Sequence, residues 1–293
     1  MPSTEDRNPR TLDLDQLPSD RVIDALLAED AAAVDAARTA APALAKAVDL
    51  ALDRIARGGT VHYFGAGASG RLAVLDATEV PPTFGTPPGL FTAHYPGGAA
   101  AFVDSGLDYE DAADAGAADA AALGGDDVAV GLTASGSTAY VAGALRRARA
   151  AGALTVLVAC NVDAPLAALA DVAVLAPTGP EAVTGSTRLK AGTATKVLLN
   201  AFSTALMVRS GRTYSNLMVN VVATNAKLHT RAARIVAMAT GLGTAASAAV
   251  LDRAGGDVPL ALVHALSGRP LDECRTALSS GGGVRTALAR LAS

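Results

Sequence analysis

The sequence predicts an α/β fold: a three-layer αβα sandwich around a central parallel sheet, with an N-terminal helical lead-in and a small C-terminal helical bundle. Two observations carry this expectation. Between residues 60 and 209, short β-branched or apolar runs ending in Gly, Ser or Thr alternate with helical stretches, the pattern of parallel strands covered on both faces by helices. On either side of that region the apolar residues recur only at helical spacing, with no strand candidate.

Taken in order, a polar leader is followed by Ser19 to Ala56, which reads as one or two helices. Val22, Ile23, Leu26, Leu27, Val34 and Ala37 lie at helical spacing there, with acids near the start. TVHYFG (60–65), GLFTAHY (89–95), DVAVGLT (127–133), ALTVLVA (153–159) and DVAVLA (171–176) read as strands. The Ala-rich stretch 109–123 reads as a helix, as do Leu189 to Arg209 and Ser215 to Thr240. From Gly241 onward three short helical stretches are expected, punctuated by AGGDVP, SGRP and SSGGG. The expected division is residues 1–56 for the leader and first helices, 57–240 for the sheet domain and 241–293 for the helical tail.

Composition narrows the function. The 293 residues are 51% hydrophobic and 18% charged, enough apolar material for a sizeable core. The formal charge is −4, the isoelectric point near 5.6, and no polybasic block occurs, which argues against a nucleic-acid partner. The positive mean hydropathy of +0.32 comes largely from Ala, and the apolar runs are interrupted before about 18 residues, so no membrane span is expected. Cys160 and Cys274 are too few for a disulfide framework, and four scattered His form no metal-ligand pair. A reducing, cytoplasmic setting without metal or cofactor is the expectation, since the leader MPSTEDRNPRTLDLDQL lacks a basic start and an apolar core.

In open α/β sheets ligands sit at the carboxyl ends of strands, so the strand-to-helix turns are the place to seek chemistry. GAGASGR (65–71) and TASGSTAY (133–140) resemble each other, each placing small residues and hydroxyls where a helix begins. Such turns offer backbone N–H groups, a positive dipole end and hydroxyl donors to a phosphate, although Ser and Thr also serve there as plain helix caps. GAGASG fits GxGxxG, but no acid follows at the end of a second strand to hold a ribose, and no P-loop Lys is present. A small phosphorylated molecule such as a sugar phosphate suits these turns better than a nucleotide. A third hydroxyl-dense segment, GPEAVTGSTRLKAGTATK (179–196), adds Ser186, Arg188 and Lys190 as candidates for completing the phosphate site or an interface.

GAGASGRLAVLDATEVPPTFG (65–85), TASGSTAYVAGAL (133–145), the segment from Gly179 to Val236 and the opening TEDRNP (4–9) together resemble the N-acetylmuramic acid 6-phosphate etherase family. That family belongs to the SIS, or sugar isomerase, superfamily of phosphosugar-binding domains. The similarity spans nearly the whole chain, and TGSTRLKAGTATK followed by SNLMVNVVATNAKL is its most specific part. The resemblance implies cleavage of the D-lactyl ether, giving N-acetylglucosamine 6-phosphate and D-lactate, by elimination and then water addition in cell-wall amino-sugar recycling. It also implies a homodimer with sites near the interface and possible completion by the partner chain.

Elimination beside a carbonyl asks for a carboxylate to take the proton and a carboxylic acid to protonate the departing oxygen. The resemblance places the acid on Glu79, in DATEVPPTFG, where the following Pro-Pro is expected to stop the helix. It places the base at carbon 2 on Glu110, in DYEDAADAGAAD, with Asp111 and Asp108 as the alternatives one and two residues away. Phosphate binding falls to Gly67 and Ser69 in the first turn and to Ser135, Gly136, Ser137 and Thr138 in the second. Ser137 stands where the family often has Arg, so a charge is missing there that Arg188 or Lys190 could supply. Two other classes remain open: a phosphosugar-binding regulator resembling the glucokinase regulatory protein, and a sugar-phosphate isomerase. A pure binder needs neither glutamate, and the isomerase base has no clear counterpart motif.

Overall fold

The alternating runs fold into five parallel strands: β1 (Val61–Gly65), β2 (Phe91–His94), β3 (Val128–Thr133), β4 (Leu154–Ala159) and β5 (Val172–Leu175). The computed structural model describes residues 3–104, 109–220 and 226–292. The strand order is β2-β1-β3-β4-β5, so the chain departs in one direction from β1 to β2 and then crosses back to build the other half from β3. The switch point lies between β1 and β3, which pair from Val61 with Val128 to Gly65 with Leu132. β3 and β4 are buried along their whole length, as central parallel strands covered on both faces must be.

The chain divides into two compact units, Met1–Thr78 with Gly89–Ser203, and Glu79–Pro88 with Thr204–Ser293. In the first, α1 (Ser19–Thr39) and α2 (Ala41–Ala56) form the lead-in, and the first parts of α3 (Gly67–Phe84) and α7 (Lys190–Arg209) join the sheet. Tyr63 marks their side: its hydroxyl donates to Asp76 (2.8 Å), and Ser203 donates to the same carboxylate (2.9 Å). On the other side α5 (Ala113–Asp119) and α6 (Ala139–Ala150) cover Phe64, Ala129 and Leu157. A short helix, α4 (Gly98–Val103), precedes α5.

The second unit holds α8 (Ala226–Thr240), α9 (Thr244–Arg253), α10 (Val258–Ser267), α11 (Leu271–Ser279) and α12 (Gly283–Ala292). Their apolar faces meet around Ile235, Val236, Leu251, Leu260, Leu262 and Val284. Asp257 caps α10 by accepting from the Leu260 N–H (3.0 Å), and Arg212 holds the carbonyls of Phe84 and Gly85 (3.2 and 2.8 Å). No single helix among the described residues is long and apolar enough to cross a membrane.

Several local expectations are corrected. Pro81 and Pro82 do not stop α3, which continues to Phe84. A proline's fixed φ is helical, and the cost is the missing N–H bonds to the carbonyls of Ala77 and Thr78 together with crowding of those carbonyls by the rings. The helix expected over 109–123 is the shorter α5, because the Glu110 carbonyl accepts from the Tyr140 N–H (2.9 Å) and draws residues 109–112 out of the helical ladder. Residues 215–220 are not helical: Tyr214 and Leu217 form a bridge, and Ser215 takes a left-handed φ of 54°. Among the described residues the tail after Gly241 contains four helices, α9 to α12, instead of three.

Candidate active site

Because β1 and β3 are neighbours, the two hydroxyl-bearing turns that follow them lie side by side at the carboxyl edge of the sheet. Ligands collect at such a switch point, where the connections on its two sides diverge. In the first turn β1 ends at Gly65 and α3 begins at Gly67, whose φ of 52° is a conformation that favours glycine. Ser69 is half-buried in the first turn of α3.

In the second turn the hydroxyls bond to one another. Thr133 Oγ1 meets Thr138 Oγ1 (2.8 Å) and Ser135 Oγ (3.3 Å), and Ser135 Oγ meets Ser137 Oγ (2.9 Å). The Gly136 N–H donates to Thr133 Oγ1 (3.2 Å) and the Ser137 N–H to Ser135 Oγ (3.3 Å). Gly136 has φ 82°, and a Cβ there would overlap Ala164, so the turn tolerates no side chain at that point. Thr133, the hub of this network, was not singled out from the sequence because it reads there as the last residue of a strand.

Glu110 joins the two turns. Its carbonyl is held by the Tyr140 N–H in the first turn of α6, and its carboxylate reaches the first turn: a Cβ placed on Gly67 would lie 2.7 Å from Glu110 Oε1. Packing of α5 on α6 sets this position. Gly116 faces the Tyr140 carbonyl and Gly143 faces the Ala113 carbonyl so closely that a Cβ on either would overlap it. The Tyr140 hydroxyl donates to Asp119 Oδ2 (2.7 Å), and burial together with that carboxylate pushes the phenol far above its ordinary range. The segment entering α5 is thereby clamped with Glu110 at the ligand edge, and the Glu110 side chain is exposed there. Asp108 lies outside the described residues, and Asp111 is exposed beside Glu110.

A cavity of about 270 Å³ opens beside the second turn, lined by Ser135 and Ser137, by Asn161, Asp163 and Pro165 beyond β4, and by Ser3 and Glu5 of the leader. Its described lining contains hydroxyls, an amide and two carboxylates, without a lysine or arginine.

The third segment is divided. Ser186 is half-buried and Arg188 exposed, in the loop that leads into α7. Lys190 is placed differently from the phosphate-ligand expectation: it is 1% exposed, and its Nζ donates to Glu29 Oε2 (2.6 Å) and the Pro180 carbonyl (2.7 Å). Lying at the start of α7 with Glu29 to neutralise it, the ammonium faces the protein interior. The cap of α7 is also different from a hydroxyl cap, since buried Glu181 accepts from the N–H groups of Lys190 and Ala191 (both 2.9 Å). Burial raises the Glu181 pKa against the opposing pull of those two N–H groups. Glu79 is exposed on the second half of α3, within the second unit, and its carbonyl accepts from the Thr83 hydroxyl (2.7 Å). Among the described residues no group of His, Cys, Asp and Glu is arranged to hold a metal ion.

Residues 43–149 match the family description "Glucokinase regulatory protein N-terminal SIS domain", and residues 108–205 match "SIS domain". Over 264 residues, 90% of this chain, it is 53% identical to 87% of an N-acetylmuramic acid 6-phosphate etherase from Thermobifida fusca. It is 46% identical to the protein of that name from Rubrobacter xylanophilus, covering 97% of this chain and 95% of the relative. With the one from Salmonella typhimurium it shares 45% identity over 97% of each chain. Among solved structures, a phosphoheptose isomerase from Francisella tularensis is similar in fold, with a TM-score of 0.53 at 18% identity over 66% of this chain and 100% of that one.

Proposed function

The chain belongs to the N-acetylmuramic acid 6-phosphate etherase family, and from that premise we propose how its own residues divide the work of a carbon–oxygen lyase. The reaction converts N-acetylmuramic acid 6-phosphate to N-acetylglucosamine 6-phosphate and D-lactate, a step in the reuse of cell-wall amino sugars. With the sugar ring open, the proton on carbon 2 is acidified by the adjacent aldehyde. Glu110 takes that proton, the electron pair forms a double bond to carbon 3, and the bond from carbon 3 to the lactyl oxygen breaks as Glu79 protonates that oxygen. Water then adds across the double bond, hydroxide to carbon 3 and a proton to carbon 2. Proton transfers of this kind need two carboxyl groups in opposite protonation states and no cofactor.

The observation that supports this reading most directly is the Glu110 carboxylate lying against the glycine-opened turn at Gly67, between two hydroxyl-bearing turns at the sheet's switch point. The phosphate is assigned to Ser69, Ser135, Ser137 and Thr138, with Gly67 and Gly136 letting the backbone approach and with Ser186 and Arg188 at the rim. Lys190, neutralised by Glu29, is left out of that set. The acid role of Glu79 rests on its place in DATEVPPTFG. The reading carries a homodimer with sites near the subunit interface, and a cytoplasmic setting, because a sugar phosphate is too highly charged to cross a bilayer unaided.

The test is D-lactate release from N-acetylmuramic acid 6-phosphate in deuterated water with EDTA present. Lactate together with deuterium at carbon 2 of the product is the expected result. Saturable binding of the phosphosugar without lactate would instead favour a sugar-sensing binder, the reading that the match to the glucokinase regulatory protein domain keeps in view.

A further inference from the structure

The leader motif TEDRNP has no part in the mechanism above, yet two of its residues are as deeply buried as the core: Thr4 is 0% and Asn8 1% exposed. Buried polar groups need hydrogen-bond partners, and here they have them. Asn8 donates to the Pro180 carbonyl (3.2 Å), Thr11 to the Ala182 carbonyl (2.8 Å), and Arg10 grips Glu29 with two nitrogens (2.5 and 2.7 Å). The first two contacts fasten the leader to the loop before α7, and the third fastens it to α1. Thr4 is fastened elsewhere, to the phosphate turn.

The link is Asn161, two residues beyond β4. Its Oδ1 accepts the Thr4 N–H (3.0 Å), and its Nδ2 donates to Thr4 Oγ1 (3.2 Å) and to the Ser135 carbonyl (3.2 Å). A backbone N–H can only donate and a carbonyl can only accept, so these partners fix the amide in one orientation. The β4 exit is itself tied to the same turn, through the Cys160 N–H on the Ala134 carbonyl (3.0 Å) and the Leu166 N–H on the Gly136 carbonyl (3.1 Å). Ser3 and Glu5, flanking Thr4, form one side of the cavity whose other side is Ser135 and Ser137. Glu5 also borders the third hydroxyl segment, its Oε2 lying 3.7 Å from where a Cβ on Gly185 would be.

We propose that Asn161 is a positioning residue for phosphosugar binding: by locking Thr4 to the Ser135 carbonyl it sets the hydroxyl turn and makes the leader a wall of the substrate cavity. The proposal rests on the assignment of the phosphate to that turn. The decisive variant is Asn161→Asp, which keeps an acceptor for the Thr4 N–H but turns a carboxylate oxygen on the Ser135 carbonyl. Thr4→Val is the milder companion, removing one hydroxyl and keeping the backbone N–H.

The measurements are KM and kcat for lactate release, calorimetric Kd for inorganic phosphate and for N-acetylglucosamine 6-phosphate, and the melting temperature, all on the full chain. Asn161→Asp is expected to raise KM and both Kd values about tenfold or more with kcat within about threefold, the signature of lost binding rather than lost chemistry. Thr4→Val is expected to raise them about threefold, with a smaller fall in melting temperature than Asn161→Asp. Unchanged KM and Kd in folded Asn161→Asp overturn the proposal, as does a loss of kcat at constant KM. If Asn161→Asp does not fold, Thr4→Val decides alone by the same criterion. A wild-type chain that binds phosphate but releases no lactate defeats the lyase reading, and the Kd values of the variants then still decide this one.

Discussion

At the scale of single residues, the Gly67–Glu110 contact joins backbone conformation to chemistry. In Gly67→Ala the new Cβ would meet Glu110 Oε1 at 2.7 Å, in a left-handed conformation that costs an L-residue roughly 1–2 kcal/mol. The variant is expected to melt lower and, when folded, to lose more kcat than binding, because the base is displaced. Comparison of its kcat with its melting curve checks this. Glu79→Ala is expected to abolish lactate release while leaving the circular dichroism spectrum and melting temperature intact, since the side chain is exposed. Wild-type turnover in that variant would remove Glu79 from the mechanism. The position of the two turns at strand exits was legible in local pattern, and Glu110 was singled out by resemblance, with Asp111 and Asp108 as alternatives. Thr133, Asn161 and Glu181 were not, because their hydrogen-bond partners are set by packing, and nothing in their immediate neighbours distinguishes them from ordinary strand-end and loop residues.

At the scale of elements, the α5–α6 pair gives Glu110 its place. Gly116 and Gly143 let the two backbones approach until each faces the other's carbonyl, and alanine at either must push the helices apart. Gly116→Ala and Gly143→Ala are each expected to cost about 1–3 kcal/mol in urea unfolding, the usual scale of overpacking. Activity of the folded fraction should fall as well, as the Tyr140 N–H to Glu110 carbonyl bond lengthens. An unchanged urea midpoint in both variants would count against the clamp. Helical periodicity could identify these segments but not their ends, since a single tertiary bond from Tyr140 takes residues 109–112 out of a run that is helical by composition. The same limit explains α3, where Pro81 and Pro82 read as a stop and the helix continues to Phe84.

For the whole molecule, acid stability depends on a charge group around buried Glu29 and Lys190 that ties leader, α1 and α7 together. The Arg10 guanidinium, and after it Lys190, hold the Glu29 carboxyl at about 2, against 4.5 for a free one. Because the folded value is the lower, the stabilisation is complete above about pH 5 and falls away as pH drops from 4.5 toward 2. Glu29→Gln is expected to cost about 3 kcal/mol at neutral pH, where it leaves Lys190 buried without its counter-charge, and to flatten the acid limb of the stability profile. Urea midpoints measured from pH 7 to pH 3 check both.

Local sequence carries the order and type of nearly all the elements and the parallel α/β class, and its motifs carry the family. The elements and the class rest on two-residue and 3.6-residue periodicities and on turn residues, and the family on motif resemblance in segments such as TGSTRLKAGTATK; all of these are local and survive being read one segment at a time. It takes the folded chain to show that β1 and β3 lie side by side, that Glu110 reaches Gly67, that Lys190 turns inward to Glu29, and that Thr4 is joined to Asn161 across 157 positions of chain. Each of these is a contact between segments distant in sequence. Its formation is governed by which faces pack and which buried polar groups must be satisfied, a balance that no local stretch of residues contains.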